Sequence, residues 1–213
     1  MITLPNGAII SLAATYAASA PITGISNAAG AVVTAANTLA AGDYVEITSG
    51  WSRLSGKVVR VLSATGTTFV LEGYDTTLTN IYPAGAGVGA FRKILTWTQL
   101  SQILSSSSSG GEQQFLEYQL LEGDSQKRIP TVKSAAGLTF SVGDDPTLPG
   151  YQLASAANDD RLPRGVRIDL PSLAKILYNA YVSLNKTPSL TVNEIMACEV
   201  TLSLLAEPVR YAS

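Results

Sequence analysis

Apolar and polar residues alternate strictly over long stretches in the second half of this 213-residue chain. Side chains at every second position of a β-strand point to the same face, so this period predicts strands with one buried face. Residues 175–184 place five apolar residues on one face, namely Ile176, Tyr178, Ala180, Val182 and Leu184. Residues 195–205 do the same with Met196, Cys198, Val200, Leu202 and Leu204. A chain with this period must build sheets.

Further strands are predicted along both halves of the chain. Residues 138–142 and 166–170 alternate in the same way, and residues 95–104 are expected to form a strand. Residues 115–121 are expected to bury Leu116, Tyr118 and Leu120 on one face. In the first half, short β-branched runs occur at 43–47, 57–62 and 67–72 between glycine-containing turns. Such closely spaced short strands are typical of a small barrel or sandwich.

One segment, residues 144–158, predicts a helix instead. Asp145 is a suitable N-cap and Pro146 a suitable first helical residue. The expected contact stripe comprises Leu148, Tyr151, Leu153 and Ala154. The sequence therefore predicts a mainly β fold with one helix packed on a sheet.

The composition indicates an oligomer. Only 14% of the residues are charged, against roughly 25% in typical soluble domains, and the mean hydropathy is +0.22. No stretch approaches the ~20 unbroken apolar residues of a spanning helix, so we expect no membrane association and infer that apolar surface is buried between subunits. The net charge of −2 argues against a nucleic-acid binder that depends on clustered lysine and arginine. The first residues lack a signal-peptide pattern, which predicts a protein made and assembled in a cytoplasm.

Catalytic chemistry is not indicated. The chain has no histidine, which removes the usual general base and metal ligand. Its one cysteine, Cys198, lies on an apolar strand face and is expected to be a buried, inert thiol. The acidic pairs at 144–145 and 159–160 do not have the spacing of a calcium loop, so capping and turn roles are expected. We therefore expect no enzyme, no metal and no cofactor.

Several ordered stretches resemble the tail tube (major tail) protein of long-tailed, non-contractile, siphovirus-like phages. They are LPNGA at 4–8, LTWTQLSQIL at 95–104, GGEQQF at 110–115, DDPTLP at 144–149 and ILYNAYVSLN at 176–185. Residues 22–94 resemble a small β-barrel module inserted in some members of that family, with GDYVEI at 42–47, SGWSRLSGK at 49–57 and FVLEGYD at 69–75.

The resemblance implies a fold and an assembly. The fold would be a β-sandwich or open barrel with one flanking α-helix, formed by residues 1–20 and 95–213, plus a small inserted β-barrel at 21–94 on the outer surface. Six subunits would form a ring, and stacked rings would form the virion tail tube through which DNA is ejected. The implied partners are further copies of the chain, the tape measure protein, the tail terminator and the tail-tip proteins. DNA would pass through without specific binding.

The serine run at 105–109 usually indicates a flexible linker. With domain boundaries near 21 and 94, however, it falls inside the tube core, where we expect a long loop between strands 95–104 and 115–121. The hypothesis is that residues 105–114 become ordered by contact with a neighbouring subunit. The inter-subunit candidates are Ser105, Ser106, Ser107, Ser108, Ser109, Gly110, Gly111 and Glu112.

A lumen that passes DNA should not attract phosphates, so acidic and neutral polar side chains are expected to line it. The candidates lie on the polar phase of the predicted strands: Glu117, Gln119, Asp169, Asn179, Glu199, Thr201 and Ser203. Ordinary solvated or inter-subunit positions are the alternative for each of them. Whether the terminal arms, residues 1–6 and 208–213, reach the next ring is left open.

Two other functions remain open at this point. The chain could be a carbohydrate- or host-surface-binding module, with Trp51 and Tyr74 as the contacts. It could also be a tail terminator, a ring protein that caps the tube. A chain lacking residues 22–93 is expected to form rings still, if that stretch is a separate module.

Overall fold

The computed structural model describes residues 6–212. Residues 1–5 and 213, which carry parts of the 4–8 resemblance and of both terminal arms, lie outside the described residues. The elements are β1 (Ile9–Tyr16), β2 (Ala20–Ile22), β3 (Gly24–Ile25), β4 (Val32–Thr34), β5 (Tyr44–Ser49), β6 (Lys57–Ala64), β7 (Thr68–Leu71), β8 (Gly89–Leu100), β9 (Ile103–Ser109), β10 (Gln113–Tyr118), β11 (Lys127–Lys133), β12 (Gly137–Gly143), α1 (Pro149–Asp160), β13 (Arg164–Asp169), β14 (Lys175–Asn185), β15 (Ala197–Leu204) and β16 (Val209–Tyr211). The prediction of a mainly β fold with one helix is confirmed.

The strands form one long antiparallel path. Its order is β3-β4-β7-β6-β5-β8-β1-β13-β14-β15-β12-β9, with β2 on β8 and β16 on β14. Strands β10 and β11 form a separate two-stranded sheet. In the first half, β2 pairs with β8 and β3 pairs with β4, while one residue separates β2 from β3. Strands β2 and β3, which lie at opposite ends of the strand order of that half, are therefore neighbours along the chain.

Strand β14 stays in one sheet but changes partners along its length. Its first part, Lys175 to Ala180, pairs with β13, and Lys175 to Leu177 also pair with β16. Its last part, Ala180 to Asn185, pairs with β15 instead. The strands β14, β15, β12 and β9 consequently form what we call the four-stranded sheet.

Apolar side chains form three clusters. The first is built from residues 22–91 and includes Trp51 and Phe69. The second combines residues of α1 with residues of β1, β8, β12, β13, β14 and β15. The third joins the two halves and contains Ala13, Val58, Ile94, Leu177 and Tyr211.

The proposed boundary near residue 94 falls inside β8, a single twelve-residue strand. Strand β8 pairs with β5 through Lys93 and with β1 from Ile94 onwards. The division into a core and an inserted domain therefore stays a prediction, and a continuous strand crosses it.

Arginine–aromatic contacts join residues 21–94 to the rest of the chain. The Arg60 guanidinium lies 4.5 Å from the ring centre of Tyr211, and the Tyr211 hydroxyl accepts a hydrogen bond from the Arg60 backbone N–H at 2.9 Å. The Arg92 guanidinium lies 4.0 Å from the ring centre of Tyr16. Such contacts are worth about 0.5–2 kcal/mol each when partly desolvated. Residues 21–94 are thus held against the rest of the chain.

The helix begins later than predicted. Asp145 is not its N-cap: the carboxylate accepts hydrogen bonds from the Thr147 backbone and hydroxyl, which makes a tight turn. Leu148 is the N-cap, and Pro149 rather than Pro146 occupies the start of the helix. The buried face is made by Gly150, Ala154 and Ala157, while Tyr151 and Leu153 pack at its margin.

Replacing Tyr211 by Phe tests the junction between the two halves. The change removes the hydroxyl that accepts from the Arg60 backbone N–H, and we expect the free energy of unfolding to fall by about 1–3 kcal/mol. Burial raises the pKa of Tyr211 to about 12. The neutral hydroxyl therefore stabilises the fold below about pH 10, and this contribution is lost as the pH rises towards 12.

Denaturant titration at pH 7 and from pH 9 to 12 measures both effects. Tyr181→Phe, at an exposed tyrosine, is the matched control and should leave stability nearly unchanged. Equal stability of the two variants would show that the junction bond contributes nothing.

Candidate assembly surface

One face of the four-stranded sheet is built from small polar residues. In an antiparallel sheet, residues directly opposite one another point to the same face. The strand pairings give three cross-strand rows: Ser105–Ser141–Glu199–Asn185, Ser107–Thr139–Thr201–Ser183 and Ser109–Gly137–Ser203–Tyr181. We call these twelve positions the polar face.

The polar face carries almost no charge. Glu199 is its one carboxylate, and none of the twelve positions is a lysine or an arginine. The Thr201 hydroxyl donates to the Glu199 carboxylate at 3.3 Å. Three of the predicted lumen residues, Glu199, Thr201 and Ser203, lie together on this face. Their placement in the lumen stays a prediction.

The opposite face of the same sheet is apolar and belongs to the second apolar cluster, to which α1 contributes Ala154 and Ala157. Phe140, Val200 and Leu184 form one row, and Leu138, Leu202 and Val182 form the next. Cys198 also lies on this side, buried as predicted, and its thiol donates to Asp144 at 3.4 Å. Burial raises the pKa of this thiol, which disfavours the reactive thiolate. The apolar rows are therefore buried in the second cluster, while most of the polar face is exposed.

The serine run is a strand and not the predicted loop. Residues 105 to 109 belong to β9, which pairs along its length with β12. The chain leaves this strand at Gly110 and Gly111, both at positive φ, and the Glu112 backbone N–H then donates to the Ser134 hydroxyl. The backbone pairing with β12 already orders residues 105–109. Their contact with a neighbouring subunit stays a prediction.

Beyond the two glycines, β10 and β11 form an exposed hairpin. Leu116 and Leu120, which were predicted to be buried, are more than half exposed, and Tyr118 is half-buried. The hairpin exposes six large apolar side chains: Phe115, Leu116, Leu120, Leu121, Ile129 and Val132. Residues 115–121 therefore do not join the core sheet, because they pair only with the equally exposed β11.

Four predicted lumen residues lie away from the polar face. Glu117 forms an ion pair with Arg128 on the hairpin, and Gln119 donates to the Gly123 carbonyl just beyond it. Asp169 forms ion pairs with Arg167 and Lys175 at the end of β13, so its charge is compensated.

Asn179 is buried, with 2% of its surface exposed, and cannot line a lumen. It sits opposite Gly165 where β14 changes partners. Within residues 6–212 its side-chain oxygen accepts no hydrogen bond.

Both outer strands of the four-stranded sheet have an unpaired edge. Strand β9 ends the sheet, and residues 181–185 of β14 pair with no described strand on the side away from β15. Natural edge strands are usually kept from sticking by charges, prolines or short length. The seven residues of β9 contain no charge and no proline. The opposite end of the path, β3, is only two residues long.

The predicted sugar contacts are not available to a ligand. Trp51 is 1% exposed, and its indole N–H donates to the Pro83 carbonyl at 2.8 Å. Tyr74 is 8% exposed, and its hydroxyl donates to the Arg53 carbonyl at 2.8 Å. The carbohydrate-binding hypothesis was wrong about these residues, because their aromatic rings fill the first apolar cluster.

No group of residues within 6–212 has the arrangement of a metal site. The described chain also contains no helix long and apolar enough to cross a membrane.

A family profile described as phage tail tube protein, TTP, matches residues 49–213, about three quarters of the chain. The chain belongs to the phage tail tube protein family. This is a structural family, so the expectation that the chain is not an enzyme is confirmed. The match begins at the last residue of β5, so the profile also covers about three fifths of the stretch predicted to be an inserted domain. No curated protein matches the chain.

Part of the chain is similar to chains of three solved tube assemblies. A chain of the sheath–tube complex of an extracellular contractile injection system, PVC, is 20% identical with a TM-score of 0.38, over 50% of this chain and 80% of that one. A chain of the PVC sheath/tube terminator has the same identity and TM-score and is covered to 84%. The anti-feeding prophage tube-terminating cap is 22% identical with a TM-score of 0.38, over 50% of this chain and 79% of that one.

The exit from β9 can be tested with two glycine substitutions. In Gly110→Ala the new Cβ would lie 1.8 Å from the Ala135 carbonyl oxygen, so the hairpin must shift. In Gly111→Ala the nearest atom is 3.6 Å away, and only the positive φ is unfavourable. We expect limited proteolysis to cut residues 113–133 much faster in Gly110→Ala than in Gly111→Ala. Equal cutting rates would show that the close approach does not position the hairpin.

Proposed function

We propose that this tail tube family member is the repeating subunit of a siphovirus-like tail tube, with its polar face lining the lumen. The observation that carries the proposal is a nearly uncharged polar face bounded by two unpaired strand edges. Six copies would close a ring, and rings would stack into the tube through which DNA is ejected.

The polar face suits passage of DNA. Phosphates are held by lysine and arginine, and each such contact raises affinity in a salt-dependent way. The hydroxyl-rich rows offer no cation, and Glu199 adds one weakly repelling charge per subunit. DNA would therefore move along the face without being retained.

The two edges suit closure into a ring. Neighbouring strands of the four-stranded sheet alternate in direction, so β9 and β14 run opposite to each other. Placing β9 of one copy beside β14 of the next continues this antiparallel order. Such a joint uses two different surfaces, and repeated copies close if the rotation between them closes. It would also bury both edges. Residues 105 to 109 would then be inter-subunit residues as strand, not as loop.

The hairpin suits contact between rings. It leaves the four-stranded sheet at the end where Ser109 and Ser203 lie. Its exposed apolar side chains are unfavourable in water and would be buried against another subunit. Gly110, Gly111 and Glu112 would set its angle.

Residues 21–94 would form a small barrel on the outer surface, joined to the tube core through β8 and the third apolar cluster. The tape measure protein would lie inside the tube, and terminator and tail-tip proteins would bind its two ends. Assembly would take place in the cytoplasm of the bacterial host.

Ring closure can be tested at Ser108. The Ala136 carbonyl accepts from the Leu204 N–H, so even-numbered residues of β12 bond to β15 and odd-numbered ones to β9. The N–H groups of Ser106 and Ser108 therefore point to the open edge. Ser108→Pro removes one of these donors without removing a bond to β12, and Ser108→Ala keeps it.

Electron microscopy of the purified protein should show tubes for the wild type and Ser108→Ala, and folded monomers for Ser108→Pro. Single rings that never stack would indicate a terminator instead. The absence of rings at every concentration would refute the proposal.

Placing a cation on the polar face tests the lumen. Thr201→Lys should yield tubes that retain double-stranded DNA at low salt and release it as salt rises, because each lysine adds a phosphate contact. Gln152→Lys, on the exposed face of α1, adds the same charge outside the proposed lumen. Filter binding of short DNA to both tubes measures the difference. Equal retention by the two variants would place the polar face elsewhere.

A further inference from the structure

We propose that Asn158 guards the β14 edge in the free subunit and must release it before a neighbouring copy can pair there. This rests on the proposed function, since the partner is a second copy of the chain. The guard is a side chain of α1 that accepts the hydrogen bond from a β14 backbone N–H which an incoming β9 would need.

The direction of the β14 backbone groups follows from one hydrogen bond. The Asn179 carbonyl accepts from the Leu205 N–H, so odd-numbered residues of β14 bond towards β15. N–H and C=O groups alternate sides along a strand, so those of Val182 and Leu184 point to the open edge.

The Leu184 N–H is the edge donor that is hydrogen-bonded to Asn158. The Asn158 side-chain oxygen accepts from it at 3.2 Å. In a continuous sheet this N–H would donate to a carbonyl of the neighbouring strand. The side-chain amide of Asn158 therefore stands where the carbonyl of a neighbouring β9 would lie.

The helix end holds this side chain in place on both sides. The Asn158 amide N–H donates to Asp159 at 3.2 Å. Lys186, just after β14, donates to both Asp159 carboxylate oxygens at 3.1 Å. Asn158 itself is half-buried, so its side chain can turn away from the edge without opening the core.

The β9 edge has no comparable guard. No described side chain hydrogen-bonds the backbone of residues 103–109 in this structure. Since the proposed joint needs one edge of each kind, a guard on β14 alone is enough to slow it. Pairing exchanges the bond to Asn158 for a bond to the neighbour, so the guard slows the start of assembly and costs the finished ring little.

Asn158→Ala tests the guard in the full-length protein. One net hydrogen bond of ~0.5–1.5 kcal/mol corresponds to about a two- to tenfold change. We expect the lag time of assembly, followed by light scattering, to shorten by about that factor. In the dispersed subunit, hydrogen exchange of the Leu184 amide should speed up. In the assembled tube this amide should be protected in both proteins.

Two variants control for indirect effects. Asn158→Asp keeps the acceptor oxygen and should assemble no faster than the wild type. Gln152→Ala removes a side-chain bond from α1 to the Pro146 carbonyl but does not touch β14, and its lag should be unchanged.

The possible outcomes separate the guard from the tube. Wild-type tubes with an unchanged lag in Asn158→Ala would overturn the guard alone. So would slow Leu184 exchange in a dispersed Asn158→Ala subunit. If Asn158→Ala does not fold, the test uses the wild type and Asn158→Asp. Fast exchange of the Leu184 amide in the dispersed wild type would overturn the guard. Slow exchange of that amide in the dispersed wild type, together with a normal or longer assembly lag in Asn158→Asp, would support it. Absence of rings and tubes from every variant would refute the proposed function and the guard together.

Discussion

The change of partners along β14 is the constraint on which the rest of the structure depends. Its first half is held by β13 and β16, and its second half by β15 alone. Because β13 pairs with β14 only as far as Ala180, residues 181–185 of β14 have no described partner on that side. The four-stranded sheet therefore has two open edges, one face in the second apolar cluster and one face in solvent.

The rest of the chain fixes the position of the four-stranded sheet through apolar and polar contacts. Helix α1 contributes Ala154 and Ala157 to the second apolar cluster and contacts β14, β8 and β1. The third apolar cluster and the Arg60–Tyr211 contact anchor the first half of β14 against the other end of the molecule. Cations are gathered into ion pairs and aromatic contacts there, as with Arg167 between Tyr44 and Trp97, and the polar face has none.

Much of this fold could be predicted from alternation, and the exceptions have physical causes. The period marks residues 175–184 and 195–205 as strands, but a run of serines has no period, so the strand at β9 was missed. Asn179 sits on the polar phase of its strand and is buried because that face of the first part of β14, with Leu177, packs into the third apolar cluster, which no local pattern reveals. The hairpin has the alternation of a core strand, yet the positive φ values of Gly110 and Gly111 turn it out of the sheet. Sequence placed Glu199, Thr201 and Ser203 together, but only the cross-strand register shows the neighbouring serines and threonines.

The central claim is that the polar face surrounds a lumen and that β9 meets β14 between copies. Cryo-electron microscopy of the assembled tube at side-chain resolution tests it most directly. The account predicts a continuous antiparallel barrel with Ser107, Thr139, Thr201 and Ser183 pointing inward and α1 on the outside. A tube with α1 towards the axis, or with β9 unpaired between subunits, would contradict it.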